Sequence, residues 1–502
     1  MSKLFRGSVV FAGLVLGLSQ VAFAGGMMNP NQDPATTPET SKVAKSQTKL
    51  KKSKKKKASN TNFVVLGTYA PQRAVSPIVL PSASSSIAPT AIDPSVTLRG
   101  VVTANKMPTL HSLPTEDPPA AVASAGQLVI SEFRVRGSNG LNDEFIEIAN
   151  VSGADHTVAA LSGSGYGIAA SDGTTRCSIP NGTVIPNRGH YLCVNSVGYS
   201  LASYPAGNGT TATGDATYTT DIPDNAGIAI FNNNSGGASY SLANRLDAVG
   251  STSEANTVYK EGTGYPALVP FSIDYSFYRD NCGKGGSITT FGACPTGGIL
   301  KDTNNNAADF VFVDTNGTSA GAGQRLGAPG PENLSSPIER NASFATNLLD
   351  VCTAPASPPN RVRDFTSDPP NNSTFGTLDI RRTVVNNTGG NVTRLRFRVI
   401  DLTTFPAPSG IADLRPRTAT SVVVTVDRPP CGSGTSNVTV QGTTLEQPAA
   451  QPNGGGFNSS LSAGTVTLAT PIANGASLDV RFLLGIQQTG SFKFFINVEA
   501  LP

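Results

Sequence analysis

The stretch 127–150, QLVISEFRVRGSNGLNDEFIEIAN, decides the fold class. Both of its ends are rich in Val, Ile and Phe, residues that suit a pleated and partly buried surface. Between them lies Asn139-Gly140, the dipeptide that most readily supplies the positive φ angles of a hairpin turn. Two short strands joined this way predict a β-hairpin as the nucleus around which the ordered chain is built.

The same texture continues outward. Strand candidates at 166–170, 183–194, 227–231 and 246–250 are separated by turn-forming residues. Within this set, Val129-Ile130-Ser131-Glu132 followed by Asp143-Glu144-Phe145-Ile146-Glu147-Ile148 and Asn150 resembles the opening of the lamin tail domain family. The I-P-x-x-G-x-Y-L pattern at 185–192, G-I-A-I from Gly227 and L-D-A-V-G from Leu246 follow in the order of that family's middle and late strands. Segments 276–279, 302–310 and 326–330 are similar to the closing segments of bacterial members. The resemblance covers residues 127–333 and implies an immunoglobulin-like sandwich with inserted loops at 196–221 and 251–270. It implies a scaffold and not a reaction, because functions are grafted onto such folds.

A Pro-containing stretch at 334–360, with Pro337, Pro355, Pro358 and Pro359, reads as a linker. Beyond it, strands are expected at 377–385, 392–401, 421–427, 437–441, 465–469, 477–486 and 491–498. In Leu395-Arg396-Phe397-Arg398-Val399 the apolar residues share one face and the arginines the other, as a half-buried antiparallel strand requires. The expected fold is therefore all-β: two immunoglobulin-like β-sandwich domains, at 127–333 and 361–502, joined by Pro-rich linkers and preceded by a disordered basic region.

That region, Lys-rich and then Pro- and Ser-rich over 25–126, follows an export signal at 1–24. Lys3 and Arg6 precede an apolar run from Ser8 to Leu18, and Ala22-Phe23-Ala24 supplies an A-x-A cleavage site. The run is shorter than the roughly 20 residues that span a bilayer, so no transmembrane segment is expected once residues 1–24 are removed. Between Lys42 and Lys57 lie nine lysines, which repel one another and bury nothing. Removing these nine with Lys3 and Arg6 from the 37 basic residues, and Asp33 and Glu39 from the 34 acidic ones, leaves 26 against 32 from residue 58 onward. The ordered part is thus mildly acidic behind a basic tether. Lys51, Lys52, Lys54, Lys55, Lys56 and Lys57 are the candidate contacts to a polyanion or anionic envelope polymer, alongside the plainer reading of a solvated spacer. No aromatic is interleaved with them, so sequence-specific nucleic-acid reading is not expected.

Six cysteines in an exported chain permit a complete disulfide set, with fifteen possible connectivities. The nearest pairs are favoured: Cys177 with Cys193, Cys282 with Cys294, and Cys352 with Cys431. None has the C-x-x-C spacing of a zinc knuckle.

The supply of catalytic groups is thin. His111, His156 and His190 stand apart in sequence without an HExxH pattern. Gly317-Thr318-Ser319-Ala320-Gly321 matches G-x-S-x-G, but no helix pattern follows to form a nucleophile elbow. Glu144 and Glu147 differ by an odd number of positions and so face opposite ways on a regular strand, whereas Glu132 and Glu144 can lie close across the hairpin. The favoured role for these three glutamates is to accept hydrogen bonds from loop N–H groups, with paired acid and base catalysis as the rival. Asp302, Asn304, Asn306 and Asp309 are calcium candidates, although Ala307 and Val313 stand where an EF-hand loop needs glycine and glutamate. No other cofactor is expected. These features favour an exported, non-enzymatic protein for binding, adhesion or scaffolding with a protein or polysaccharide partner, and an accessory module associated with a secreted hydrolase or nuclease is the alternative.

Overall fold

Register along the hairpin sets the architecture. Leu128–Arg134 pairs antiparallel with Phe145–Asn150, placing Glu132 opposite Glu147 and Phe133 opposite Ile146, with a bulge between Ile130 and Glu132. The extra residue shifts the alternation, so Leu128, Ile130 and Phe133 share one core while Glu132 turns to the other face. Gly140 has φ +99°, as the turn requires, and Gly137 and Gly140 close it. Beneath it, the Asp143 carboxylate accepts the Asn139 N–H at 2.9 Å and pairs with the buried Arg134 guanidinium.

The computed structural model describes residues 64–65, 123–204, 212–269, 272–280, 300–316, 325–446, 448 and 452–502. Among them the chain is all-β, with only a four-residue α-helix, Asn306–Asp309, and a few 3-10 turns. Four larger sheets carry the fold. The first has the order Arg245–Val249, Ile228–Phe231, Gly165–Ala170, Thr175–Pro180. The second runs Arg325–Leu326, Phe310–Asp314, Tyr275–Arg279, Leu128–Arg134, Phe145–Asn150, His190–Asn195, Ala216–Tyr218. The third is built on Phe494–Leu501 paired with Arg394–Leu402, and the fourth on Thr377–Asn386 paired with Ser477–Gln488.

One core lies between the first two sheets, where Ile130, Phe133, Ile146 and Ile148 meet Tyr166, Ile168, Ile228 and Ile230. A second lies between the third and fourth, where Leu395, Phe397, Val399 and Val498 meet Ile380, Val384, Val480 and Phe482. Tyr278, Val311 and Val313 of the second sheet join this second core, so the two halves are packed and not merely tethered. The described residues from Val64 onward belong to one compact unit.

Several expectations are corrected. Stretch 334–360 contributes strands: Ile338–Glu339 pairs with Phe494–Leu501, and Phe344–Leu348 with Thr377–Asn386. Its prolines fall outside both strands, which leaves the pairing N–H groups intact. The described ends of insertion 196–221 are docked, with Leu201, Tyr204 and Ala212 buried and the Tyr204 hydroxyl donating to the Glu446 carbonyl at 2.8 Å. Insertion 251–270 likewise buries Tyr259, Tyr265 and Leu268. Residues 465–469 form turns, and the strand there is Ser460–Ser462. Within the N-terminal region expected to be disordered, Val64–Val65 forms a short strand that pairs with Phe494–Leu501.

Cys177 of the first sheet is bonded to Cys193 of the second, with both side chains in the first core. Cys352 is bonded to Cys431, tying the turn after Phe344–Leu348 to the connection between Val422–Asp427 and Thr435–Gly442. Cys282 and Cys294 lie outside the described residues, as do the signal, the lysine run and Ser319. Chain-entropy arguments give roughly 3 kcal/mol for a loop of the first size and roughly 4.5 kcal/mol for one of the second. The double variant Cys352→Ala/Cys431→Ala is therefore expected to lose more stability in urea unfolding than Cys177→Ala/Cys193→Ala; the reverse order would contradict it.

Candidate functional site

Among the described residues, a dense convergence of ionisable side chains lies where the second sheet meets the third. Glu132 and Glu147 stand directly opposite each other across the hairpin, and His190 follows on the next strand opposite Ala149. From the third sheet come Arg396 and Arg398, alternating with Leu395, Phe397 and Val399, and Glu499 opposite Arg396. Arg396 is 1% exposed and Arg398 8%, because the second sheet covers a face that the sequence pattern assigns to solvent. The segment 327–333 threads between the two sheets and adds Glu332. A Cβ on Gly330 would lie 2.3 Å from Arg398 Nη1 and would displace that guanidinium.

Both arginines bridge the same two carboxylates. Glu332 Oε1 pairs with Arg396 and lies 3.0 Å from Arg398 Nη2; Glu499 pairs with Arg396 and lies 2.8 Å from Arg398 Nε. Charge-assisted contacts of this kind are the strong ones, and removing one partner of a buried pair costs about 3–5 kcal/mol. Glu132 accepts the Gly330 N–H at 2.9 Å and the Asn458 side-chain N–H at 3.0 Å. Glu147 accepts the Ser131 hydroxyl at 2.5 Å and the Glu332 N–H at 2.6 Å.

Four carboxylates face two guanidiniums, so protonation balances the layer. Burial raises the pKa of Glu132, and burial with the neighbouring Glu132 charge holds Glu147 well above the usual carboxylate range. Their proximity across the strand pair makes joint ionisation unfavourable. Burial pushes His190 down to about 3, with the two arginines adding to the effect, so the imidazole is neutral. It sits 3.2 Å from Glu332 Oε2 and 3.8 Å from Glu147 Oε1. A cavity of about 70 Å³ adjoins these groups, room for water and far below the roughly 300 Å³ of a small-molecule site. Glu147, His190 and Glu332 offer three ligand atoms within 4.8 Å of one another. Glu147 is poorly placed to ligate a metal there, since both of its oxygens already accept hydrogen bonds.

Glu144 is separate from this layer. Its carboxylate accepts from Asn195 Nδ2 and from the Ile222 N–H, each at 2.7 Å, so Glu132 is brought beside Glu147 and not beside Glu144. Each of the three glutamates accepts one N–H from the backbone outside its own hairpin. His156 stacks on Tyr166 with Nε2 3.1 Å from the hydroxyl, while His111 lies outside the described residues.

The calcium candidates do not converge. Asp309 takes the Thr303 N–H and hydroxyl at 2.9 and 2.7 Å, and the Asn306 amide holds Gly250, Glu261 and Ala248. Asn304 adopts φ 54° as a turn residue, leaving Asp302 alone near other carboxylates. In the structure these residues form an Asx-rich turn, with Asp309 accepting from Thr303 and Asn306 holding neighbouring segments.

Strict alternation cannot place Glu132 with the arginines; only the bulge does. The arginine–glutamate layer was missed for a related reason, since Arg396, Arg398 and Glu499 alternate with core residues just as solvent-facing charges do. No family model, curated protein or solved structure matches the chain.

Burial raises Glu144 from the ordinary 4.5 to about 8, with the Asp221 charge adding to it and hydrogen bonds from Asn195 and Ile222 opposing it. Below about pH 4.5 the group is protonated in folded and unfolded chains alike. As pH rises toward 8 the unfolded chain ionises first, so stability is lost through that window. Glu144→Gln is expected to gain at least about 1 kcal/mol relative to the parent chain between about pH 5 and about pH 8 in urea unfolding. A constant difference across that range would contradict the assignment.

Proposed function

We propose that the chain is an exported, non-enzymatic β-protein whose two halves, both immunoglobulin-like and the first of lamin-tail type, form a rigid frame for binding or scaffolding outside the cell. The observation that carries this reading is the charge layer, whose carboxylates are engaged by donors and guanidiniums within the protein, Glu332 Oε1 through its ion pairs alone. Glu132 and Glu147 have both oxygens on hydrogen-bond donors, and Glu332 and Glu499 are held between two guanidiniums. Groups tied down in this way join sheets, whereas a catalytic acid or base needs reach to a substrate proton.

The lamin-tail element of the proposal rests on the residues of 127–150 and on the order of the later segments. Two facing sheets crossed by the Cys177–Cys193 bond are compatible with it. The Ala22-Phe23-Ala24 site supports export, and Lys51, Lys52 and Lys54 through Lys57 supply a basic tether for an anionic envelope polymer. No helix among the described residues is long and apolar enough to cross a membrane.

The test is an activity screen of the purified chain on nucleic acids and phosphoesters, with Glu132→Gln and Glu144→Gln alongside. No turnover is expected from any of the three. Turnover by the parent chain that either substitution abolishes would overturn the reading.

A further inference from the structure

A second cluster of acids, gathered about Arg279, is built differently. Asp247 sits on Arg245–Val249 of the first sheet, Glu261 in the loop after the 3-10 turn Thr257–Tyr259, and Asp302 in the loop before Asn306–Asp309. Each offers an oxygen within 4.8 Å of the other two. Asp247 is 1% exposed and Glu261 5%.

Half of each buried carboxylate is engaged. Asp247 Oδ2 accepts the Ile130 N–H at 2.6 Å and Arg279 Nη2 at 2.5 Å; Glu261 Oε1 accepts Arg245 Nη2 at 3.0 Å. The remaining oxygens, Asp247 Oδ1 and Glu261 Oε2, are buried without a hydrogen-bond partner. A buried carboxylate oxygen left in this state is costly and rare. In the interface layer both oxygens of Glu132 and of Glu147 meet donors, and Glu332 Oε1, which has no hydrogen bond, is held by two guanidiniums.

Local charge points the same way. Arg279 lies within ion-pair reach of Asp247, Asp302 and Asp309, and Arg245 of Glu261, which sets four carboxylates against two guanidiniums. The framework is fixed by Asn306, whose Oδ1 accepts the Gly250 and Glu261 N–H groups at 2.9 and 3.0 Å and whose Nδ2 donates to the Ala248 carbonyl at 2.8 Å. One side chain thereby clamps the two segments that present Asp247 and Glu261. Asp302, with a side chain 21% exposed, forms the open rim.

We propose that Asp247, Glu261 and Asp302 form a calcium site, with the divalent cation taking the buried oxygens that lack donors and water completing its shell at the Asp302 rim. An all-oxygen donor set selects hard cations, and a partly solvated rim suits calcium better than the strict octahedron of magnesium. The site goes beyond the proposed scaffold function and does not depend on it.

The experiment uses the full chain, freed of metal by chelation and titrated with calcium chloride alone to about 10 mM by calorimetry and thermal unfolding. One calcium per chain is expected, with Kd on the order of 10⁻⁴ M as in extracellular modules and a rise in Tm as calcium is added. Glu261→Gln and the rim variant Asp302→Asn are each expected to weaken binding by at least about tenfold. The rim variant keeps the test decisive if Glu261→Gln fails to fold. No heat and no Tm shift in the parent chain, unchanged affinity in Asp302→Asn, or equal binding of magnesium chloride would overturn the assignment.

Discussion

The ion-paired layer between the second and third sheets is the constraint on which the rest of the architecture depends. Arg396 and Arg398 are held between Glu332 and Glu499, and all four side chains are buried where two sheets and a threading segment meet. Charges withdrawn from water are tolerated only when paired with good geometry and when their other atoms are satisfied. Beside these pairs, Glu132 and Glu147 fix the positions of Gly330, Asn458 and Ser131. A sheet face that would otherwise be solvated becomes a joint, and the two halves become one body.

The sequence carried much of this fold and little of the joint. The hairpin, the Asn139-Gly140 turn and most long strands follow from period-2 alternation and turn chemistry. Short pairings such as Ile338–Glu339 and Arg361–Asp364 were not legible, because two to four residues carry too little pattern and are fixed by their partners in the sheet. Alternation in Leu395 to Val399 identified the core face correctly, but a strand cannot announce whether its polar face meets water or a second sheet. The bulge after Ile130 is invisible for the same reason: it is a property of pairing, and it alone turns Glu132 toward the arginines.

Carboxylates illustrate how environment, more than residue type, assigns a role. Glu132 and Glu147 are held by donors beside two guanidiniums, whereas Asp247 and Glu261 each keep one buried oxygen without a donor. The Asx-rich segment at 302–306 looked like a ligand loop and is mostly scaffold, with Asn306 clamping backbone and Asp309 holding its own turn. Two of the three ligands it helps to assemble, Asp247 and Glu261, come from a distant strand and loop, which no local motif reveals.

Whether the charged layer makes the two halves a single cooperative unit is answered most directly by native-state hydrogen exchange of the oxidised, unmodified chain in increasing urea. The account predicts that amides of Leu128–Arg134 in the second sheet and of Arg394–Leu402 in the third exchange through one common opening, converging on the same free energy and the same urea dependence. Separate openings with distinct free energies, one half exchanging while the other stays protected, would contradict it.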